Sequence, residues 1–160
     1  ARALEAAGIL ARAAGGRGMV GGQVLDMAGE GHSLGIHEVE ELQRLKTGAL
    51  IAASAEMGCV LAGGGMEQRQ AARLYAERLG LAFQIQDDIL DVVGDEATLG
   101  KPVGSDAKSE KNTFVTLKGL DVCRELVAKL TQEAVEALLC FGAEGDGLRW
   151  LANSLASREK

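Results

Sequence analysis

Apolar positions recur along this chain at spacings of three and four, the repeat that lays one stripe along an α-helix. From Ile36 to about Leu61 the stripe is Val39, Leu42, Leu45, Ala49, Ala53, Met57 and Val60. A second run, Met66 to about Val93, predicts a helix roughly 40 Å long at 1.5 Å per residue. Its first half mixes apolar positions with Glu67, Arg69, Arg73, Glu77 and Arg78, and its second half is apolar apart from one polar face. The Ala-rich opening, Ala1 to Ala14, reads as helix, and Met19, Val20, Gln23, Val24 and Met27 carry the same spacing past paired glycines. Gly29 to Gly35 reads as a loop, with Gly35 placed to N-cap a helix and Glu38 at its N3 position. Gly63 to Gly65 ends the helix before it. Gly94 to Glu110 is polar and reads as a long loop, the kind that usually carries function. A short helix is expected over Asn112 to Gly119 and another from Val122 to about Cys140, capped by Asp121. A Gly-rich turn follows at Gly142 to Gly147, then a last helix from Leu148 to about Ser157. No alternating strand pattern, repeat or low-complexity tract interrupts this. The fold class is all-α, an antiparallel helical bundle within one domain over residues 1–160.

Composition narrows the picture. The lone proline, Pro102, permits long helices, and 3% aromatic content makes the core one of Ala, Leu, Val and Ile. A net charge of −6 argues against a nucleic-acid partner, although local lysines or a metal still allow an anionic substrate. Cys59, Cys123 and Cys140 are far apart and form no metal-binding pattern, so reduced thiols in a cytoplasmic protein are expected. No run of 18 apolar residues exists, which predicts no membrane span, and no leader sequence is visible. The chain starts on Ala1 rather than Met, in an uncapped helical stretch, which predicts a segment upstream.

The candidate chemistry centres on Gly80 to Asp95, GLAFQIQDDILDVVGD. Residues four apart share a helix face, so Asp87 and Asp91 project together, with Asp88 at the edge and Gln84 on the same side. Like charges so placed repel, and a half-buried groove raises the cost. A divalent cation preferring oxygen ligands is the fitting counter-charge, and a solvated acidic face is the plainer alternative. Lys46, in RLKTGAL beside Thr47 and Gly48, and Lys101, in the polar loop, are point charges suited to phosphate oxygens; alone, each reads as a surface lysine. Gly48 inside a helix costs about 1 kcal/mol relative to Ala, which predicts either a kink that frees carbonyls near Lys46 and Thr47 or close helix packing. Carboxylates, a cation and lysines together point to metal-assisted diphosphate chemistry. The residues alone go no further.

GGQVLDM (Gly21 to Met27), RLKTGALI (Arg44 to Ile51), GLAFQIQDDILDVVGD and TLGKPVGSDAKSEKNTF (Thr98 to Phe114) occur in this order. The chain resembles the C-terminal half of the bacterial short-chain trans-prenyltransferases, the polyprenyl synthetase family of the farnesyl diphosphate synthase type, over roughly residues 15 to 118. The resemblance implies an isoprenoid synthase bundle around a central cavity. It implies head-to-tail condensation of isopentenyl diphosphate with dimethylallyl or geranyl diphosphate. It also implies Mg²⁺ on Asp87 with Asp88 and Asp91 supporting it, the allylic diphosphate on Lys46 and Lys101, and Thr47 and Gln84 facing the allylic cation through oxygen. Gln23 and Asp26 would line the cavity as a hydrogen-bonding pair, and the assembly would be a homodimer. The family's earlier aspartate-rich motif and its isopentenyl diphosphate-binding basic residues do not occur in this sequence. A part of a longer enzyme is therefore expected, with half an active site. A non-catalytic helical partner and a longer-chain synthase are the alternatives.

Overall fold

The computed structural model describes residues 1–93 and 112–158. Among them there is no strand, and the elements in order are α1 (Arg2–Ala14), α2 (Met19–Gly29), α3 (Ile36–Gln43), a π-helical turn (Arg44–Gly48), α4 (Ala49–Ala62), α5 (Met66–Val93), α6 (Phe114–Lys118), α7 (Leu120–Ala137), a 3₁₀ segment (Leu139–Gly145) and α8 (Asp146–Ala156). The all-α expectation is met. The expected loop from Gly94 to Glu110 lies outside the described residues.

Local chemistry accounts for the boundaries. Glu38 Oε2 accepts from Gly35 N at 2.7 Å and so opens α3 as the sequence predicts. Gly63, at φ +86°, closes α4 in the left-handed region, and Gly64 N donates to Cys59 O at 2.9 Å. Thr113 and Thr116 cap α6 reciprocally: Thr116 N donates to Thr113 Oγ1 at 3.2 Å and Thr113 N to Thr116 Oγ1 at 2.9 Å. Three expectations shift. Asp121 does not cap α7; Gly119, at φ +84°, takes the N-cap position and Asp121 sits in the first turn. The helix expected to reach Cys140 stops at Ala137, where the backbone tightens into the 3₁₀ segment. The last helix opens two residues early, at Asp146, whose carboxylate accepts from Arg149 at 2.6 Å.

Helix α5 is the hub. Along its first half Tyr75, Ala76 and Leu79 pack with Ala52 of α4, Ala134 of α7 and Ala152 of α8. Along its second half Ala82, Ile85 and Ile89 pack with Val39 of α3, Phe114 of α6 and Cys123, Val127 and Leu130 of α7. Its charged positions tie it sideways, Arg69 to Glu5 of α1 at 2.6 Å and Arg78 to Glu133 of α7 at 2.7 Å. Such exposed pairs contribute little each, so apolar burial holds α5, at about 1.5–3 kcal/mol for each fully buried large side chain.

The expectation of no membrane span is revised in one respect. Ile36–Ala62 forms a continuous helical run of 27 residues containing an 18-residue window with mean hydropathy 1.3, 17% of it buried, so by length and composition alone it qualifies to cross a membrane. The average reaches that level without an unbroken apolar run. Lys46 lies mid-run, paired with Asp26 of α2, and α1 and α5 pack along α4.

Tyr75, the sole tyrosine of the chain, donates its hydroxyl to Leu148 O at 2.9 Å. Burial pushes its phenol up to about 12 from 10. The folded state therefore holds its proton more tightly than the unfolded chain, and stability present below pH 10 falls as pH rises through that window. Absorbance at 295 nm should show tyrosinate appearing near pH 12 in the folded protein. Tyr75→Phe should remove that step and lower stability by about 1 kcal/mol, read from denaturant midpoints.

Candidate active site

The site is built where α2 crosses the π-helical turn. A Cβ on Gly22 would press into the backbone N of Lys46 and lie 2.6 Å from Lys46 Cα, closer than any real side chain can come. Glycine is required here by contact rather than by dihedral angle. Asp26, one turn further along α2 on the same face, is thereby brought to Lys46, and its Oδ2 accepts from Nζ at 2.5 Å. Asp26 thus bonds Lys46, while Gln23, expected beside it, is exposed. The predicted disturbance at Gly48 is present as the π turn Arg44–Gly48. Such a turn carries one extra residue and re-aims the side chains on it, and Lys46 and Thr47 both lie on it, half-buried.

Close packing, the other reading of Gly48, is realised as well. A Cβ on Gly80 of α5 would sit 3.7 Å from Gly48 Cα and 3.4 Å from Ile51 Cδ1. Gln84 follows one turn along α5, and Asp87 about two turns along.

The acidic face divides. Asp87 has a side chain 47% exposed and pairs with Arg158. Asp88 Oδ2 accepts from Phe114 N, at the start of α6, at 2.8 Å. Asp91 is 2% exposed. Among the described residues no group of three His, Cys, Asp or Glu side chains could hold a metal ion. Because α5 is packed on several sides, neighbouring carboxylates meet different surroundings. Mg²⁺ needs only one or two carboxylates, with waters and phosphate oxygens completing its shell. A half-exposed Asp87 already compensated by a cation fits that narrower donor set. Lys101 lies outside the described residues.

Asp88 has a second neighbour in Cys123. Burial, with the Asp88 charge adding to it, pushes the Cys123 thiol up from its ordinary value. Cys123 is therefore a core residue, fully buried, while Cys140 is exposed. A cavity of about 980 Å³ opens on another side of the π turn, between α1, α3, α4 and α5. Arg44, Leu45 and Gly48 line it, but Lys46, Thr47, Gln84 and Asp87 do not. The expected central cavity and this one do not coincide.

Sequence reasoning missed Arg158. A basic residue in a polar tail normally points to solvent, and no spacing rule links it to a helix some 70 positions earlier.

The family model for polyprenyl synthetases matches residues 2–138. The chain belongs to the polyprenyl synthetase family. It is 40% identical over 150 residues to the farnesyl diphosphate synthase of Geobacillus stearothermophilus, covering 94% of this chain and 50% of that protein. It is 39% identical over 162 residues to a heterodimeric geranylgeranyl pyrophosphate synthase large subunit of Arabidopsis thaliana, covering 99% of this chain and 44% of that protein. Its fold is similar to that of a geranyltransferase from Helicobacter pylori solved with magnesium and isoprenyl diphosphate, with a TM-score of 0.79, 34% identity and coverage of 96% and 50%. The chain thus spans about half the length of the curated relatives it matches.

The Gly22 contact yields a direct expectation. Gly22→Ala should destabilise the protein by about 1–3 kcal/mol, the usual cost of overpacking, and lower its thermal midpoint. Gly16→Ala, with nothing within 4 Å of the added Cβ, is the matched control.

Proposed function

We propose that the protein acts in prenyl chain elongation, joining isopentenyl diphosphate head-to-tail to dimethylallyl or geranyl diphosphate to give farnesyl diphosphate. The observation that carries this reading is a lysine held on a π-helical turn by α2, flanked by the α5 helix that bears Asp87. Bound Mg²⁺ would neutralise the diphosphate as it leaves the allylic carbon. Asp87 would hold the ion, with Asp88 and Asp91 shaping its surroundings. Lys46 and Lys101 would bind the diphosphate. Lys46 would give up Asp26 for phosphate oxygens, a like-for-like exchange of charge-assisted hydrogen bonds. Thr47 and Gln84 would turn oxygen atoms toward the allylic cation, and Gln23 would border the same space.

The apolar stripe Val20, Val24 and Met27 on α2 is 47%, 59% and 72% exposed. An open stripe of this kind supports a covering partner, consistent with a homodimer or with further helices of a longer chain. A cytoplasmic location completes the reading. A longer-chain product is the second reading, supported by the 39% identity to a geranylgeranyl pyrophosphate synthase subunit. Analysis of the products by chain length separates the two.

Asp87→Ala should lower kcat/KM for the allylic diphosphate by about a hundredfold or more, the scale of losing one key charge-stabilising group, with the helical circular dichroism spectrum unchanged. Turnover within a few-fold of the unaltered protein would overturn the assignment.

A further inference from the structure

Arg158 lies just beyond the end of α8, and its contacts among the described residues fall on one turn of α5. Its guanidinium donates to the Asp87 carboxylate and, at 3.3 Å, to Phe83 O. The same group stacks 4.1 Å from the centroid of the Phe83 ring. Gln86 Nε2 donates to Arg158 O at 3.2 Å, fixing the backbone of the tail as well. The Arg158 side chain is 20% exposed. Pinning an arginine costs rotamer entropy, so an arginine held at three neighbouring residues is not an idle surface charge.

We propose that Arg158 is an intramolecular plug on the divalent-cation site. The guanidinium takes the charge-compensating position beside Asp87, and it has to leave before that carboxylate can ligate a cation. This rests on the reading of Asp87 as the cation's ligand. The two partners exclude one another on simple grounds. One guanidinium nitrogen bonds Asp87 Oδ1 and so fills the space in front of that oxygen, and a guanidinium beside a divalent ion is repelled by it. Cation affinity is then reduced by the fraction of molecules in which the plug is open. By reciprocity, the cation releases the tail from α5. Arginine suits the role better than lysine, because the planar group donates to Asp87 and Phe83 O while stacking on the Phe83 ring.

The test uses Mn²⁺ as a spectroscopic stand-in, titrated into the protein while the paramagnetic resonance signal of the free ion is followed. Arg158→Gln should bind Mn²⁺ about fivefold more tightly, the equivalent of losing one partly desolvated ion pair. Arg158→Lys, which keeps the charge but loses the planar group and its stack on Phe83, should fall between the two. In the unaltered protein, hydrogen exchange over residues 153–158 should quicken when Mg²⁺ is added. If Arg158→Gln binds Mn²⁺ within twofold of the unaltered protein while Asp87→Asn loses the ion, the plug is wrong and the ligand assignment stands. If Asp87→Asn leaves Mn²⁺ binding unchanged, both are wrong.

Discussion

A backbone-to-backbone contact between α2 and the π-helical turn sets the geometry of the site. Two helices ordinarily pack 8–10 Å apart, separated by their side chains. At Gly22 that spacer is missing, and the helix surface rests on the peptide of Lys46. The lysine stem therefore leaves the turn beside α2, where Asp26 waits one turn along to receive the ammonium. The π turn contributes the second half of the arrangement. Its extra residue rotates the positions after it, so that Gly48 can face Gly80 of α5 while Lys46 faces α2. A single helix without this disturbance would not present one residue to each neighbour over so short a span.

Helix α5 carries two demands at once. Its apolar positions meet five other helices, and its acidic residues sit among them. A carboxylate in such a place is costly unless it is partnered, and the two partners shown in the structure come from distant parts of the chain. Asp88 receives the first N–H of α6, where the positive end of the helix favours a negative charge. Asp87 receives the guanidinium of Arg158. Asp88 and Asp87 thus hold the α6 start and the tail against α5.

A pattern runs through these pairs. Lys46 is matched by Asp26, and Asp87 by Arg158; each pair joins segments distant in sequence. Substrate and metal, on the proposed reading, are an anion and a cation that take over from these internal counter-charges. The internal counter-charges keep Lys46 and Asp87 paired and ordered.

Much of this was legible in the amino-acid order. Helix positions followed from the three-and-four spacing, because a helix face must be apolar to be buried. The Gly35–Glu38 start and the Gly63 stop followed from capping chemistry, which is local. The disturbance at Gly48 was visible because glycine is a poor helix former. The α7 start was misjudged, since Asp121 has a good capping side chain but Gly119 alone tolerates the positive φ that the turn adopts. What local spacing could not disclose was how Asp87, Asp88 and Asp91 would separate, that Asp26 would find Lys46, or that Arg158 would reach Asp87. Periodicity ranks residues around their own axis. It is silent on which neighbour covers each face, and that choice is made by packing between segments tens of residues apart.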